Sequence, residues 1–492
     1  MKLSLLLKNI AYQSLRPIPD CDISGIAYDS RRVRAGYLFV CIKGLKTDGH
    51  FFVQEAIKNG AIAVLCENYP EIQTHITMIR TENTRGALAA LAANFYGNPS
   101  NYLKLIGVTG TNGKTSVAYM IKAILDEAGY KVGIMGTLSA AIDSEVRELG
   151  HTTPESLEIE EFLADCVQRN ADFVVMEVSS HALALQRVKE LNFHCAIFTN
   201  LTQDHLDFHH NMTAYRDSKL ELFQLLANKP GAFGVINADD DYSGDFINSC
   251  PVPVYTYGLS KDATVKADIT ENTLRGVKFV ASRGEEKLNI QMSLIGGFSV
   301  YNSLAAITFA YQEGVKAEII KKSLRKLRGV TGRFEQVDCG QEFTVIVDYA
   351  HTPDGLQNVL LVAREIVEKR IITVFGCGGD RDRGKRPLMG QIAARNSDFI
   401  IVTTDNPRSE EPEDIIADIV PGIETVPNSR YAIIVDRYEA IRHAINLAKK
   451  NDMVIITGKG HETYQLVKDQ ILEFDDRKVA SALIKERAAH GL

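Results

Sequence analysis

The sequence has no tryptophan, only 14 prolines and 8 cysteines, and no apolar run of membrane-spanning length. Each shortage excludes a class. Cys21, Cys41, Cys66, Cys166, Cys195, Cys250, Cys339 and Cys377 are scattered, with no CxxC pair. That excludes a zinc ribbon and a secreted disulfide framework, and it fits a reducing compartment. A bilayer-crossing helix needs roughly 20 apolar residues in a row, and none is present. At the N-terminus Lys8 and Asn9 cut the apolar run short and no small-residue cleavage site follows, so the stretch reads as an amphipathic first helix rather than a leader. A soluble, cytoplasmic protein without membrane insertion is expected. Basic excess is missing too: 55 Lys plus Arg against 62 Asp plus Glu leave a net charge of -7. No global attraction to nucleic acid follows from that balance.

What is present is a chain of 492 residues, 45% hydrophobic and 24% charged. At roughly 100 to 200 residues per domain it is long enough for about two to four domains with cores of their own. Short β-branched runs alternate with helical patterns, the signature of α/β architecture with largely parallel sheets. Three blocks are expected. The first, 1–98, has apolar runs at 37–42 and 61–65 flanking an amphipathic stretch at 51–59, and closes in a turn-rich linker. The second, 99–332, opens with a strand at 103–108, a glycine loop and a helix at 116–128. Further strands are expected at 173–178, 195–201 and 232–236, with a more polar β region at 252–294. The third, 333–492, has strands at 343–347, 371–375, 399–403, 432–435 and 453–457, four of them followed by polar, glycine-rich segments. Ligands of open parallel sheets bind beyond the carboxyl ends of strands, so these segments mark a site.

The sharpest motif is Gly107-Val-Thr-Gly-Thr-Asn-Gly-Lys-Thr115, between strand and helix. Backbone N–H groups of Gly110, Thr111, Asn112 and Gly113 and the helix start at Lys114, Thr115 and Ser116 can cradle phosphates, with a lysine and a hydroxyl for phosphate and magnesium. Position 108 is Val where the general phosphate-loop pattern has Gly, so the loop is a variant. ATP binding is the expectation. Glu177 in Met-Glu-Val-Ser-Ser-His181 and His205 in Asp-His-Leu-Asp-Phe-His-His210 end neighbouring strands and are placed near that loop as metal ligands. Three histidines in six residues also raise zinc, but the phosphates and the lack of cysteine favour magnesium. Lys219, read from its helix alone, is a solvated surface lysine. Asp405-Asn406-Pro407-Arg408, read alone, is an ordinary turn. Gly376-Cys-Gly-Gly-Asp-Arg381 fails the dinucleotide fingerprint, because position 381 is Arg.

Together these motifs, with Asp29-Ser-Arg31, Gly332-Arg-Phe-Glu335, Asp348-Tyr-Ala-His-Thr-Pro353 and Gly458-Lys-Gly-His-Glu462, resemble the Mur ligases of peptidoglycan synthesis, in order and over all three blocks. The resemblance implies a small α/β N-terminal domain for a UDP-linked substrate, a central phosphate-loop ATPase domain and a Rossmann-like C-terminal domain for the incoming amino acid. It implies an ATP-dependent ligase that joins meso-diaminopimelate to UDP-N-acetylmuramoyl-L-alanyl-D-glutamate through an acyl phosphate, acting as a monomer. Lys114 and Thr115 serve ATP and magnesium, with Asn302, Arg333 and Asp348 near the adenosine end; helix or loop structure remains an open reading for those three. Lys219 is implied to be carbamylated and to hold magnesium with Glu177 and His205. Ser30, Thr152, Thr153, Ser179 and Arg187 are implied to hold the UDP substrate, although the family's usual glutamine two residues before that arginine is Leu185 here. Arg381, Asp405, Asn406, Pro407, Arg408, Gly458 and Glu462 are implied to hold diaminopimelate, whose distal carboxylate a planar arginine can grip bidentately. Use of L-lysine instead is disfavoured by Arg408. A non-catalytic nucleotide-binding homologue is disfavoured by the joint presence of Lys114, Glu177, His205 and Lys219.

Overall fold

A computed structural model describes residues 1–489 apart from 45–46, 72–74 and 261. Three sheets follow one another along the chain, each with its own apolar core. In the first, the strands lie in the order Gln13–Ser14, Thr77–Arg80, Ala61–Cys66, Tyr37–Val40, Gly25–Ala27, parallel except for the first. The N-terminal apolar run forms the expected first helix, one turn long, at Leu3–Leu6. Leu3 and Leu6 go inside, and Asn9 in left-handed geometry (φ 64°) ends the segment.

The second sheet has Lys104–Thr109 near its middle, paired with Phe173–Glu177 on one side and Phe193–Phe198 on the other, both in parallel. Antiparallel hairpins extend both edges, and the polar region expected at 252–294 supplies one of them. Successive side chains alternate between two cores: Ile106 and Val108 face the helices Lys114–Glu127 and Gly297–Gln312, and Leu105 faces Ser156–Gln168 and Met212–Gln224. The chain runs from Lys104–Thr109 to Val132–Met135 on one side and later crosses from Phe173–Glu177 to Phe193–Phe198 on the other, so a crevice opens beyond the carboxyl end of Lys104–Thr109. The glycine loop sits there.

The third sheet runs Thr344–Asp348, Met453–Thr457, Ile371–Phe375, Phe399–Val402, Tyr431–Ile433, all parallel, with Glu335–Gln336 antiparallel at one edge. Its interior strands Ile371–Phe375 and Met453–Thr457 fall where the β-branched runs put them. The edge strand Tyr431–Ile433 starts and ends earlier than 432–435. Arg437 ties the carboxyl ends together: its guanidinium donates to the carbonyls of Thr404 (3.2 Å) and Thr457 (2.9 Å) and pairs with Asp476 at 2.8 Å, both side chains fully buried. Among the described residues no helix is long and apolar enough to cross a membrane, and all eight cysteines are free.

Asp476→Asn removes the charge opposite Arg437 and leaves a buried cation uncompensated, which costs roughly 3–5 kcal/mol. Urea unfolding followed by a probe in the C-terminal sheet should show that loss; a change below about 1 kcal/mol would mean that water reaches the pair.

Candidate active site

The glycine loop needs its glycines for steric reasons. Gly110 has φ 145° and a Cβ there would lie 1.9 Å from Thr199 Oγ1; Gly113 has φ 85° and a Cβ there would lie 2.4 Å from Asn302 Oδ1. Left-handed Gly113 caps the helix, which therefore starts at Lys114 and not at 116, with Ser116 in its first turn. Asn200 clasps the loop: its carbonyl accepts from Thr111 N (2.8 Å) and its Oδ1 from Asn112 N (2.9 Å). The preceding strand stops at Phe198, short of the expected 201, and the chain turns there to meet the loop. Asn200 precedes the motif that carries His205, and no sequence signal assigns it this role.

Two lysines converge on one oxygen. Lys114 Nζ donates to the carbonyls of Gly110 (2.9 Å) and Thr111 (2.8 Å), and Lys219 Nζ donates to the same Gly110 carbonyl at 2.9 Å. Lys219 is 1% exposed, with its Nζ over the Tyr215 ring at 4.6 Å. That overturns the solvated-lysine reading of its helix: the Met212–Gln224 face carrying Lys219 packs under the loop. Burial, reinforced by Lys114, holds the Lys219 amine well below the ordinary lysine range. Lys114 is lowered by burial as well, against the pull of Glu177.

Glu177 is 1% exposed and takes the other end of the loop. It accepts from Thr115 Oγ1 (2.9 Å), Thr137 Oγ1 (3.1 Å) and Thr137 N (2.8 Å). Its backbone carbonyl accepts from Thr153 Oγ1 (2.8 Å), which accepts from Ser179 N (3.0 Å), while Arg187 Nη1 donates to Thr153 O (2.8 Å) and Thr152 Oγ1 lies 3.0 Å from Thr137 Oγ1. So Thr152, Thr153, Ser179 and Arg187 form one network with Glu177, joined by Thr137, which no sequence signal identified. His205 is left-handed (φ 53°), 3.4 Å from Asp204 Oδ2, with its ring 4.7 Å from that of His181. Burial lowers its pKa, and Lys114 and Lys219 add to the effect. Nearby His209 instead bonds Ser180 Oγ (2.9 Å), and among the described residues no three His, Cys, Asp or Glu side chains are grouped to hold a metal ion. Glu177, Thr115 and Thr137 offer oxygen donors only, a set that suits a hard cation.

The third sheet reaches the same loop. Arg333 Nη2 donates to Thr115 Oγ1 at 3.2 Å with its guanidinium over Tyr349, and Asp354 accepts from Asn112 Nδ2 (2.9 Å) and Thr202 Oγ1 (2.7 Å). Asp348 is buried and accepts from Phe334 N and Ala350 N; burial pushes its carboxyl up while Arg333 opposes the shift. Asn302 is buried against Gly113. Ser30 lies in the first sheet, 5% exposed, its hydroxyl donated to Glu55 Oε2 at 2.8 Å. It does not join the network around Glu177.

A second polar pocket sits beyond the strand ends of the third sheet. Asp348 O accepts from Gly458 N (3.2 Å), which links the two pockets. Asn406 Nδ2 donates to Glu462 Oε2 (2.8 Å), and Asn406 Oδ1 accepts from Leu466 N (2.9 Å) and from Lys459 Nζ (3.2 Å). Gly458 has φ 114°, and a Cβ there would lie 2.2 Å from Asp405 Oδ2, a buried oxygen with no partner among the described residues. Arg408, left-handed at φ 52°, donates through Nη1 to Gly379 O (2.8 Å), and Pro407 is buried behind it. The hairpin Tyr464–Val467 and Gln470–Glu473 fixes Arg408 through Leu466 O (3.0 Å). Arg381 is exposed at the rim. Fully buried Lys459 went unassigned in the sequence, because a lysine between glycines announces no burial.

Family models for Mur ligases match three stretches: the Mur ligase family, catalytic domain over 22–96, the Mur ligase middle domain over 108–310 and the Mur ligase, glutamate ligase domain over 332–460. The UDP-N-acetylmuramoyl-L-alanyl-D-glutamate--2,6-diaminopimelate ligase of Syntrophomonas wolfei is 57% identical over 485 residues, 99% of each chain. A solved structure of an enzyme of that name is 32% identical, covers 99% of both chains and superposes with a TM-score of 0.69. The UDP-N-acetylmuramoylalanyl-D-glutamyl-2,6-diaminopimelate--D-alanyl-D-alanyl ligase of Acinetobacter baumannii shares the fold, with a TM-score of 0.63 at 20% identity over 94% of this chain and 95% of that one.

Because Lys219 is neutral in the fold at pH values where the unfolded chain protonates it, the unfolded state binds the extra proton. With CO2 excluded, stability should therefore rise with pH between the depressed folded pKa and the ordinary lysine value of about 10.4. Lys219→Met should flatten that rise in a pH series of unfolding midpoints; identical profiles for the two proteins would show that Lys219 stays charged.

Proposed function

The chain belongs to the Mur ligase family, and from that premise we propose how its own residues join meso-diaminopimelate to UDP-N-acetylmuramoyl-L-alanyl-D-glutamate at the expense of ATP. The observation that carries the reading is the unbroken path from Arg187 through Thr153, Glu177 and Thr115 to Arg333, which joins the substrate end of the cleft to the nucleotide end. Residues 1–98 take the uridine end through Ser30, residues 99–332 take ATP and the sugar-dipeptide, and residues 333–492 take the amino acid. One copy of the chain contributes every group named, and the reaction belongs in the cytoplasm.

A carboxylate is a poor electrophile. Transfer of the γ-phosphoryl group to a D-glutamyl carboxylate oxygen releases ADP and makes an acyl phosphate. The diaminopimelate amine, having lost a proton, attacks the acyl carbon, and phosphate leaves with the former carboxylate oxygen. Loop amides and Lys114 meet the charge that builds on the transferring oxygens, and a preorganised donor of this kind is worth about 10²–10³ in rate. Glu177 and Thr115, with His205 and the carbamate of Lys219, would hold magnesium, which when bound neutralises phosphate charge. The neutral Lys219 amine is the form that adds CO2. Asn302, Arg333 and Asp348 take the adenosine end, and contacts from the third sheet to Thr115 and Asn112 help keep water from the acyl phosphate.

Diaminopimelate differs from lysine in a second ammonium–carboxylate centre. Arg408 and Arg381 suit the distal carboxylate; Asp405, Asn406 and Glu462 suit the ammonium, with Gly458 leaving room beside Asp405. A mass-resolved assay with ATP, the UDP-dipeptide and both amino acids should show the diaminopimelate product favoured by on the order of 10⁴. Arg408→Ala should lose most of that preference. Faster turnover with lysine would reject the assignment.

A further inference from the structure

Three charged side chains meet where the N-terminal block approaches the substrate loop. Glu155 follows Thr152, Thr153 and Pro154 and precedes the helix Ser156–Gln168. Its Oε1 receives Arg187 Nη2 at 2.7 Å, and its two oxygens receive Arg85 Nη1 at 3.1 and 3.3 Å. Arg85 belongs to the helix Thr84–Tyr96 of the first block. The side chains of Arg85, Glu155 and Arg187 are only 16%, 13% and 11% exposed. Both arginines are also tied to backbone, Arg85 Nη2 to Lys43 O (3.1 Å) and Arg187 Nη1 to Thr153 O (2.8 Å). One helical turn further, Glu158 accepts from Tyr28 Oη (2.7 Å) and pairs with Arg32, so this helix start faces the N-terminal block twice.

Two guanidiniums against one carboxylate leave one positive charge unmatched in a dry place. Among the described residues Arg187 Nε is buried there with no partner, a donor that costs stability until an anionic oxygen reaches it. The geometry points to Glu155 as a positioning residue: it aims Arg187 so that Nε meets an anionic oxygen of the UDP-linked substrate, and through Arg85 it makes that aim depend on docking of the N-terminal block. This role rests on Arg187 being a substrate contact. Without the carboxylate, Arg85 and Arg187 repel across the interface and the long Arg187 side chain loses its fixed direction.

Steady-state kinetics of the full-length protein test it, with KM measured separately for each of the three substrates. Glu155→Gln should raise KM for the UDP-dipeptide about 10-fold, leaving kcat and the other two KM values within about 2-fold. Arg85→Met should shift the same KM in the same direction by less. The double variant should be no worse than Glu155→Gln alone, because Arg85 acts through Glu155. Arg187→Met is the reference: if it leaves that KM unchanged, Arg187 does not contact substrate and the underlying reading fails. If Arg187→Met raises it while Glu155→Gln does not, or Glu155→Gln moves all three KM values together, or the two single effects add, then Glu155 has no positioning role.

Discussion

Two lysine side chains, Lys219 buried and Lys114 half-buried, share the carbonyl oxygen of Gly110, and the rest of the site is arranged around that crowding. Like charges in a dry site raise each other's energy, and the effect weakens only when an anion arrives or a proton leaves. Here both outcomes serve chemistry. In the proposed reading Lys114 meets the phosphates of ATP, and Lys219, its pKa lowered by burial and by its neighbour, supplies the free amine that attacks CO2. The glycines make the geometry available. A Cβ on Gly110 or Gly113 would collide with Thr199 or Asn302, and the loop that brings both lysines to one carbonyl could not form.

The second and third sheets serve that centre by the same rule: each presents the carboxyl ends of parallel strands to it, where short polar loops can reach a ligand while the strands stay buried. Contacts between blocks include apolar packing, Leu157 on the first core and Ile295 in the third, beside polar ties. Arg333 and Asp354 reach the phosphate loop from the third block, and Arg85, Tyr28 and Arg32 reach Glu155 and Glu158 at the start of the helix Ser156–Gln168 from the first. Polar contacts of this sort can open and re-form, which suits an enzyme that must admit three substrates and then exclude water. Arg437, in contrast, is fully buried against Asp476 and the carbonyls of Thr404 and Thr457, next in sequence to Asp405 and Gly458.

Interior strands were legible in the sequence because both faces are covered and their β-branched runs are unbroken, as in Ile371–Phe375 and Met453–Thr457. The glycine loop was legible because phosphate binding needs residue types that little else requires together. Lys219 was not legible from its own helix. Its burial comes from a carbonyl 109 residues away, and only the resemblance flagged it. Thr137, Asn200, Asp354 and Lys459 were silent for the same reason. They are ordinary polar residues whose roles arise from packing against distant loops, and local pattern carries no trace of that. The early end of Phe193–Phe198 is a case in which a local apolar signal gave way to a tertiary contact.

The most direct measurement equilibrates the protein with 13C-labelled CO2 and records its carbonyl-region NMR spectrum. If the shared Gly110 carbonyl and the burial around it keep Lys219 as a free amine, one carbamate resonance appears in the native protein and is missing in Lys219→Met. A native, ligating protein that shows no such resonance at saturating CO2 would contradict the account.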